Sequence, residues 1–173
     1  YMALRAIRVI DPSEPGAFRA SEDELLILRR DSQGQWQFNQ VINAANTEAV
    51  LGPVIGPVII RFLDLRITRF RFKGADLIAG WLPTAEAPGS ETPFRTVHYR
   101  LNEKGQFHPL QLINLPQPNG AATPDYVLDD EYLTVFRGFE AFDSYRRAKG
   151  SNFVVDRGLT GGWWFGPVRN GQG

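Results

Sequence analysis

The sequence predicts a mainly β fold, an antiparallel barrel or sandwich of about eight to ten strands with one short helix. Glycine and proline are spread along the whole chain, so turn signals arrive too often for long helices. Short runs of β-branched and aromatic residues lie between them. In ITRFRFK, Ile67, Arg69, Arg71 and Lys73 fall on one face and Thr68, Phe70 and Phe72 on the other, the period of two that a strand requires. Strands are predicted likewise over residues 4–10, 25–30, 35–42, 96–101, 106–113, 132–137 and 152–155.

A pair of matching turns adds to this. Asp31-Ser32-Gln33-Gly34 and Asn102-Glu103-Lys104-Gly105 each begin with a side chain that can cap a turn. Each ends with glycine, as a hairpin closing through a left-handed residue requires. A shift of 71 residues lays RRDSQGQWQFNQVIN on RLNEKGQFHPLQLIN, with Arg29/Arg100, Gly34/Gly105, Gln35/Gln106, Gln40/Gln111, Ile42/Ile113 and Asn43/Asn114 identical. A second match sets Gly80-Trp81 on Gly162-Trp163, so hairpin and then Gly-Trp recur in the same order. The pattern reads as a single β-rich domain, residues 1–173, with an internal duplication at about 20–90 and 91–173.

The helix is predicted over residues 139–149. Phe139, Phe142 and Tyr145 form an apolar stripe, Glu140 stands in the first turn, Arg146, Arg147 and Lys149 stand in the last, and Gly150 stops it. Ser21-Glu22-Asp23-Glu24 resembles a capping box, but the hairpin match assigns residues 25–30 to a strand. The apolar run from Val50 to Leu63 is too short for a membrane helix, and Pro53, Pro57 and Arg61 interrupt it. It reads as extended chain on a sheet edge or a buried crossing, and no transmembrane segment is expected.

Nineteen basic and nineteen acidic residues leave no net charge, so no long-range field gathers nucleic acid or an anionic membrane. The absence of cysteine excludes disulfides, thiolate metal sites and cysteine nucleophiles.

Candidate chemistry is sparse. His98 and His108 lie on the two arms of one hairpin, and its register decides whether they share a face. If Leu101 opposes Gln106 they point apart; if Asn102 opposes Gln106 they become diagonal neighbours, fit for a proton-transfer pair with a carboxylate. They are the residues an enzyme would use, while two histidines without HxH or HxxxH spacing make no metal site. Asp125, Asp129, Asp130 and Glu131 lack the ligand alternation and glycine of a calcium loop, and read as a solvated turn or helix start. No Gly-x-Ser-x-Gly elbow and no phosphate-binding glycine loop occurs, so neither serine catalysis nor a nucleotide cofactor is expected. Trp81, Trp163 and Trp164 are the candidates to stack on a glycan or grip a peptide, with Arg69 and Arg71 beside them for anionic contacts. The plainer reading places Trp36 and Trp81 in the core and leaves one of Trp163 and Trp164 exposed.

The C-terminal segment GWWFGPVRNGQG, Gly162 to Gly173, resembles a motif of bacterial secreted β-repeat proteins, roughly Gly-x-Trp-Tyr-x-Pro-x-x-Ser-Gly-x-Gly, usually followed by a Tyr-Asp-x-x-Gly hairpin. Pro167 fits its place if Trp164 takes the role of the first aromatic. The resemblance covers a dozen residues well and implies an exported, periplasmic or extracellular protein that is not an enzyme. The function expected is therefore a non-catalytic binding or interaction module with a protein or glycan ligand. The alternatives are a structural subunit of a larger assembly and a small β-barrel enzyme using a His/carboxylate pair.

Overall fold

The computed structural model describes residues 1–9, 21–51, 65–83, 95–113, 124–136, 142–148 and 151–156. Among these, the strands form three open antiparallel sheets and no closed barrel, so the sandwich alternative is the one realised. The first sheet orders β1 (Met2–Val9), β2 (Ser21–Arg30) and β3 (Trp36–Ile42). A helix, α1 (Ala44–Leu51), follows it. The second sheet is a meander of β4 (Leu65–Lys73), β5 (Asp76–Pro83), β6 (Arg95–Leu101) and β7 (Phe107–Ile113). The third holds β8 (Asp125–Leu128), β9 (Tyr132–Phe136), β10 (Phe142–Arg146) and β11 (Val154–Val155). No helix among the described residues is long and apolar enough to cross a membrane.

The sheets stack in chain order, with the second one in the middle. Alternate residues of its inner strands serve two cores. Leu77, Ala79, Trp81, Val97 and Tyr99 pack toward Leu25, Ile27 and Ile42 of the first sheet. Ile78 and Ile113 pack toward Tyr126, Leu133, Val135 and Tyr145 of the third. A strand buried on both faces has no polar period, which is why LIAGW in β5 escapes a search for alternation. Where the middle sheet carries polar side chains inward, they find each other. Trp81 Nε1–H donates to Tyr99 Oη at 3.0 Å, Tyr99 pairs with Thr47 Oγ1 at 3.0 Å, and Thr47 Oγ1 donates to the Asn43 carbonyl at 2.8 Å. Burial pushes the Tyr99 phenol up in pKa.

The two matched turns carry the same bonds. Gly34 N–H donates to Asp31 O and Gly105 N–H to Asn102 O. The Asp31 carboxylate accepts from Gln33 and Gln35, and the Asn102 amide oxygen from Lys104 and Gln106. Both glycines have positive φ, 81° and 75°. A third turn, leading from β10 into β11, has the same first bond, from Ser151 N–H to Ala148 O. In all three an aromatic stands two residues past the turn's last position: Trp36, Phe107 and Phe153. A glutamine of the sheet beneath holds the backbone of the second and third. Gln40 donates to Phe107 O (2.5 Å) and accepts from Phe107 N–H (2.8 Å). Gln111 does the same to Phe153, at 2.7 and 2.9 Å.

Several expectations are corrected. The described part of the predicted helix 139–149 is strand β10, paired with β9 and β11. Its apolar stripe at helical spacing gives way to extended chain in which Asp143, Ser144, Tyr145 and Arg147 are buried, because pairing with β9 and the partner of Arg147 outweigh local propensity. The helix that does form, α1, is capped reciprocally by Asn43 and Asn46, each amide oxygen accepting the other's backbone N–H. Asp125 lies in a strand, while Asp129 caps the turn to β9 by accepting from Glu131 N–H. In β4 a register shift between Ile67 and Phe70 turns Ile67 onto the face of Phe70 and Phe72, breaking the predicted alternation. The Gly80-Trp81 match to Gly162-Trp163 falls partly outside the described residues, as does most of the apolar run 50–63.

At Gly80 the second and third sheets approach closely. A methyl there would overlap the Tyr126 hydroxyl and lie 2.9 Å from Thr68 Oγ1. Tyr126 Oη is held by Thr96 Oγ1 at 2.9 Å, and burial pushes its phenol up to about 12. Gly80→Ala is expected to cost about 1–3 kcal/mol by overpacking. In urea denaturation, Tyr126→Phe in that background should recover part of the loss. Equal stability of Gly80→Ala and the parent would contradict this packing.

Candidate functional site

The first candidate is a polar cluster between the second and third sheets. Asp76 opens β5, and its cross-strand neighbours on β6 are Arg100 and, two residues on, His98. Asp76 Oδ1 meets His98 Nε2 at 2.7 Å and accepts from Arg100 Nε at 3.1 Å. Its Oδ2 accepts from Arg147 of the third sheet at 2.5 Å. Arg147 is itself fixed by the Asp130 carbonyl, which accepts from Nε at 3.0 Å. Phe153 closes the cluster, edge-on to the His98 ring and beneath the Arg147 guanidinium, 4.4 Å from its centroid.

The protonation states follow from this geometry. Burial opposes ionisation of Asp76, but hydrogen bonds from His98 and Arg147 outweigh it and hold the carboxyl well below the usual carboxylate range. Burial lowers the His98 imidazole against the pull of Asp76, and Arg147 and Arg100 add to the lowering. His98 is therefore neutral, with its Nε2–H donated to Asp76. Its Nδ1, which has no hydrogen-bond partner, is then a bare lone pair rather than an orphaned donor. The side chain of His98 is 0% exposed, so the imidazole reaches no solute unless the layers part.

The second candidate is the outer face of the first sheet. The register sets Met2 beside Leu28, Leu4 beside Leu26, Val41 beside Leu26, Phe38 beside Leu28 and Trp36 beside Arg30. Leu25 and Ile27 point to the core, so these residues point away from it. Leu4, Trp36 and Phe38 are 47%, 46% and 64% exposed, and Met2, Leu26, Leu28 and Val41 are half-buried around them.

Of the residues singled out in the sequence, Trp81 is wholly buried and offers no stacking face, whereas Trp36, expected in the core, is exposed. Arg69 is exposed; Arg71 is spent on Asp125 (3.0 Å) and the Tyr126 carbonyl (3.2 Å), tying β4 to β8. Trp163 and Trp164 lie outside the described residues. The hairpin adopts the register with Asn102 opposite Gln106 and Arg100 opposite His108, yet His98 turns to Asp76 while His108 is exposed. Among the described residues no three histidine or carboxylate side chains gather to hold a metal. Sequence reasoning missed Asp76, Arg100, Arg147 and Phe153. The one available signal was a carboxylate opening the apolar stretch LIAGW, which has to find a cation once buried.

Comparison with protein-family models, with curated proteins and with solved structures finds no match.

The cluster makes stability depend on pH with a defined sign. Since the folded pKa of His98 lies below 6.5, the unfolded chain takes up a proton that the folded chain refuses, and stability falls as pH drops below 6.5. Asp76 adds a further loss below 3.8. The His98 contribution is bounded by one proton, about 1.4 kcal/mol per pH unit. Urea denaturation between pH 7 and 5 should show a shallower slope for His98→Gln than for the parent; identical slopes would contradict a neutral, buried His98.

Proposed function

We propose that this chain is a non-catalytic interaction module whose working surface is the outer face of β1–β3. The observation that carries the reading is the concentration of exposed Leu4, Trp36 and Phe38 on one sheet face whose other side is core. Isolated apolar side chains on a surface need no explanation; a contiguous group on one sheet face marks a contact with something else. The partner is a protein. A sugar laid on Met2, Leu4, Leu26 and Leu28 would leave hydroxyls facing alkyl groups without partners, whereas a second protein surface covers such a face as a sandwich layer does. The resemblance of the C-terminal segment to exported bacterial β-repeat proteins supports the same reading.

A working surface differs from a core in its response to substitution. In dilute solution Phe38→Asp should leave stability within about 0.5 kcal/mol of the parent and abolish most binding of an apolar fluorescent dye. Val97→Asp, in the core, should unfold the chain. A Phe38→Asp chain that unfolds likewise, or binds the dye unchanged, would contradict the assignment.

A further inference from the structure

We infer that the contact between the second and third sheets is an acid-released latch: proton uptake by His98 parts the third sheet from the second and leaves the first two joined. The latch shares no residue with the outer face of the first sheet. His98 stands on an inner strand of the middle sheet and is wholly buried. The groups that close the cluster around it belong to the third sheet: Arg147, which follows β10, and Phe153, which precedes β11. Water reaches the imidazole only when these two withdraw.

The surroundings of the ring are already rich in positive charge. Asp76 of β5 is the carboxylate bonded to it, and the same carboxylate binds Arg100 of the His98 strand and Arg147 of the third sheet. From β7, Gln111 is committed to Phe153, and from β8, Tyr126 is bonded to Thr96. From β10, Asp143 and Tyr145 share the inward side and hold interactions of their own. A protonated His98 would be a third cation on one carboxylate, and its Nδ1–H a buried donor with no acceptor. Burial and the two guanidinium groups disfavour that charge. The parted form takes the proton that the closed form refuses, so its population rises by up to about tenfold for each pH unit below 6.5. His108, the other histidine of the chain, is exposed, and neither histidine lies between the first and second sheets. That interface also has the larger core, eleven buried apolar residues against seven among the described residues. Acid therefore loosens the second interface first.

Native-state hydrogen exchange in low urea at pH 7 and pH 5, corrected for intrinsic rates, tests this at two amides held by the same kind of clamp. Phe153 reports the second interface and Phe107 the first. Phe153 should exchange through the smaller opening, with protection lower than that of Phe107 by about tenfold or more and a weaker dependence on urea. Its protection should fall by about tenfold or more from pH 7 to pH 5 in the parent and in His108→Gln, and stay nearly level in His98→Gln. Equal protection and equal urea dependence at the two amides would mean that the layers open only together, and would overturn the proposal. A Phe153 protection that is the same at both pH values would overturn it too, as would a fall that persists in His98→Gln or disappears in His108→Gln. Should His98→Gln fail to fold, the parent and His108→Gln alone decide between these results.

Discussion

Two glutamine side chains set the order of the layers. The primary amides of Gln40 and Gln111 each offer one donor and one acceptor at the spacing of a backbone peptide, and each satisfies both backbone groups of an aromatic residue at the margin of the next sheet. Such groups have no ladder partner on their outer side, and leaving one buried and unpaired costs about 1–3 kcal/mol. A glutamate has no hydrogen to donate and a leucine has neither group, so the clamp is specific to the amide. It also fixes the sheets against sliding, since a shift of one residue would present a side chain where Phe107 or Phe153 now presents backbone.

With the edges pinned, the two interfaces are free to differ in chemistry. The first is mainly apolar, crossed by the Trp81–Tyr99–Thr47 chain, the Gln40 clamp and the buried Asp23, which accepts from Ile67 N–H at 2.9 Å, and it gains from the burial of large side chains, about 1.5–3 kcal/mol for each. The second places a carboxylate between two guanidinium groups and a neutral imidazole. An ion cluster of this kind adds little net stability over a well-packed apolar substitute, yet breaking it strands a buried charge. Its contribution is to orientation: Arg147 reaches Asp76 only when β10 lies correctly over β5 and β6. The same His98–Asp76 contact that in an open cleft would suggest acid–base chemistry is here buried beside Phe153.

The sequence displayed most of the β architecture because turns and period-two runs are local. Both predicted hairpins formed in the expected positions, and strands at residues 25–30, 96–101 and 106–113 were legible from alternation and turn chemistry alone. What was hidden depended on long-range partners. Strand β5 had no alternation because both of its faces are covered, and β10 looked helical because Phe142 and Tyr145 happen to be three apart while Arg147 answers to Asp76, 71 residues away. The exposed face was visible in one respect only. LLIL in β2 is apolar on both sides, one side more than a sheet lying on a single core requires, and the excess appears in the structure as the outward row of Leu26 and Leu28.

The order of the layers depends on the amide clamps. Hydrogen exchange at the backbone amides of Phe107 and Phe153, followed in the parent, in Gln40→Ala and in Gln111→Ala, examines them one at a time. Gln40→Ala should speed exchange at Phe107 by about tenfold or more and leave Phe153 protected, and Gln111→Ala should do the reverse. Unchanged protection at both amides in both variants would show that the layers are held by their apolar faces alone and that the glutamines do not set their order.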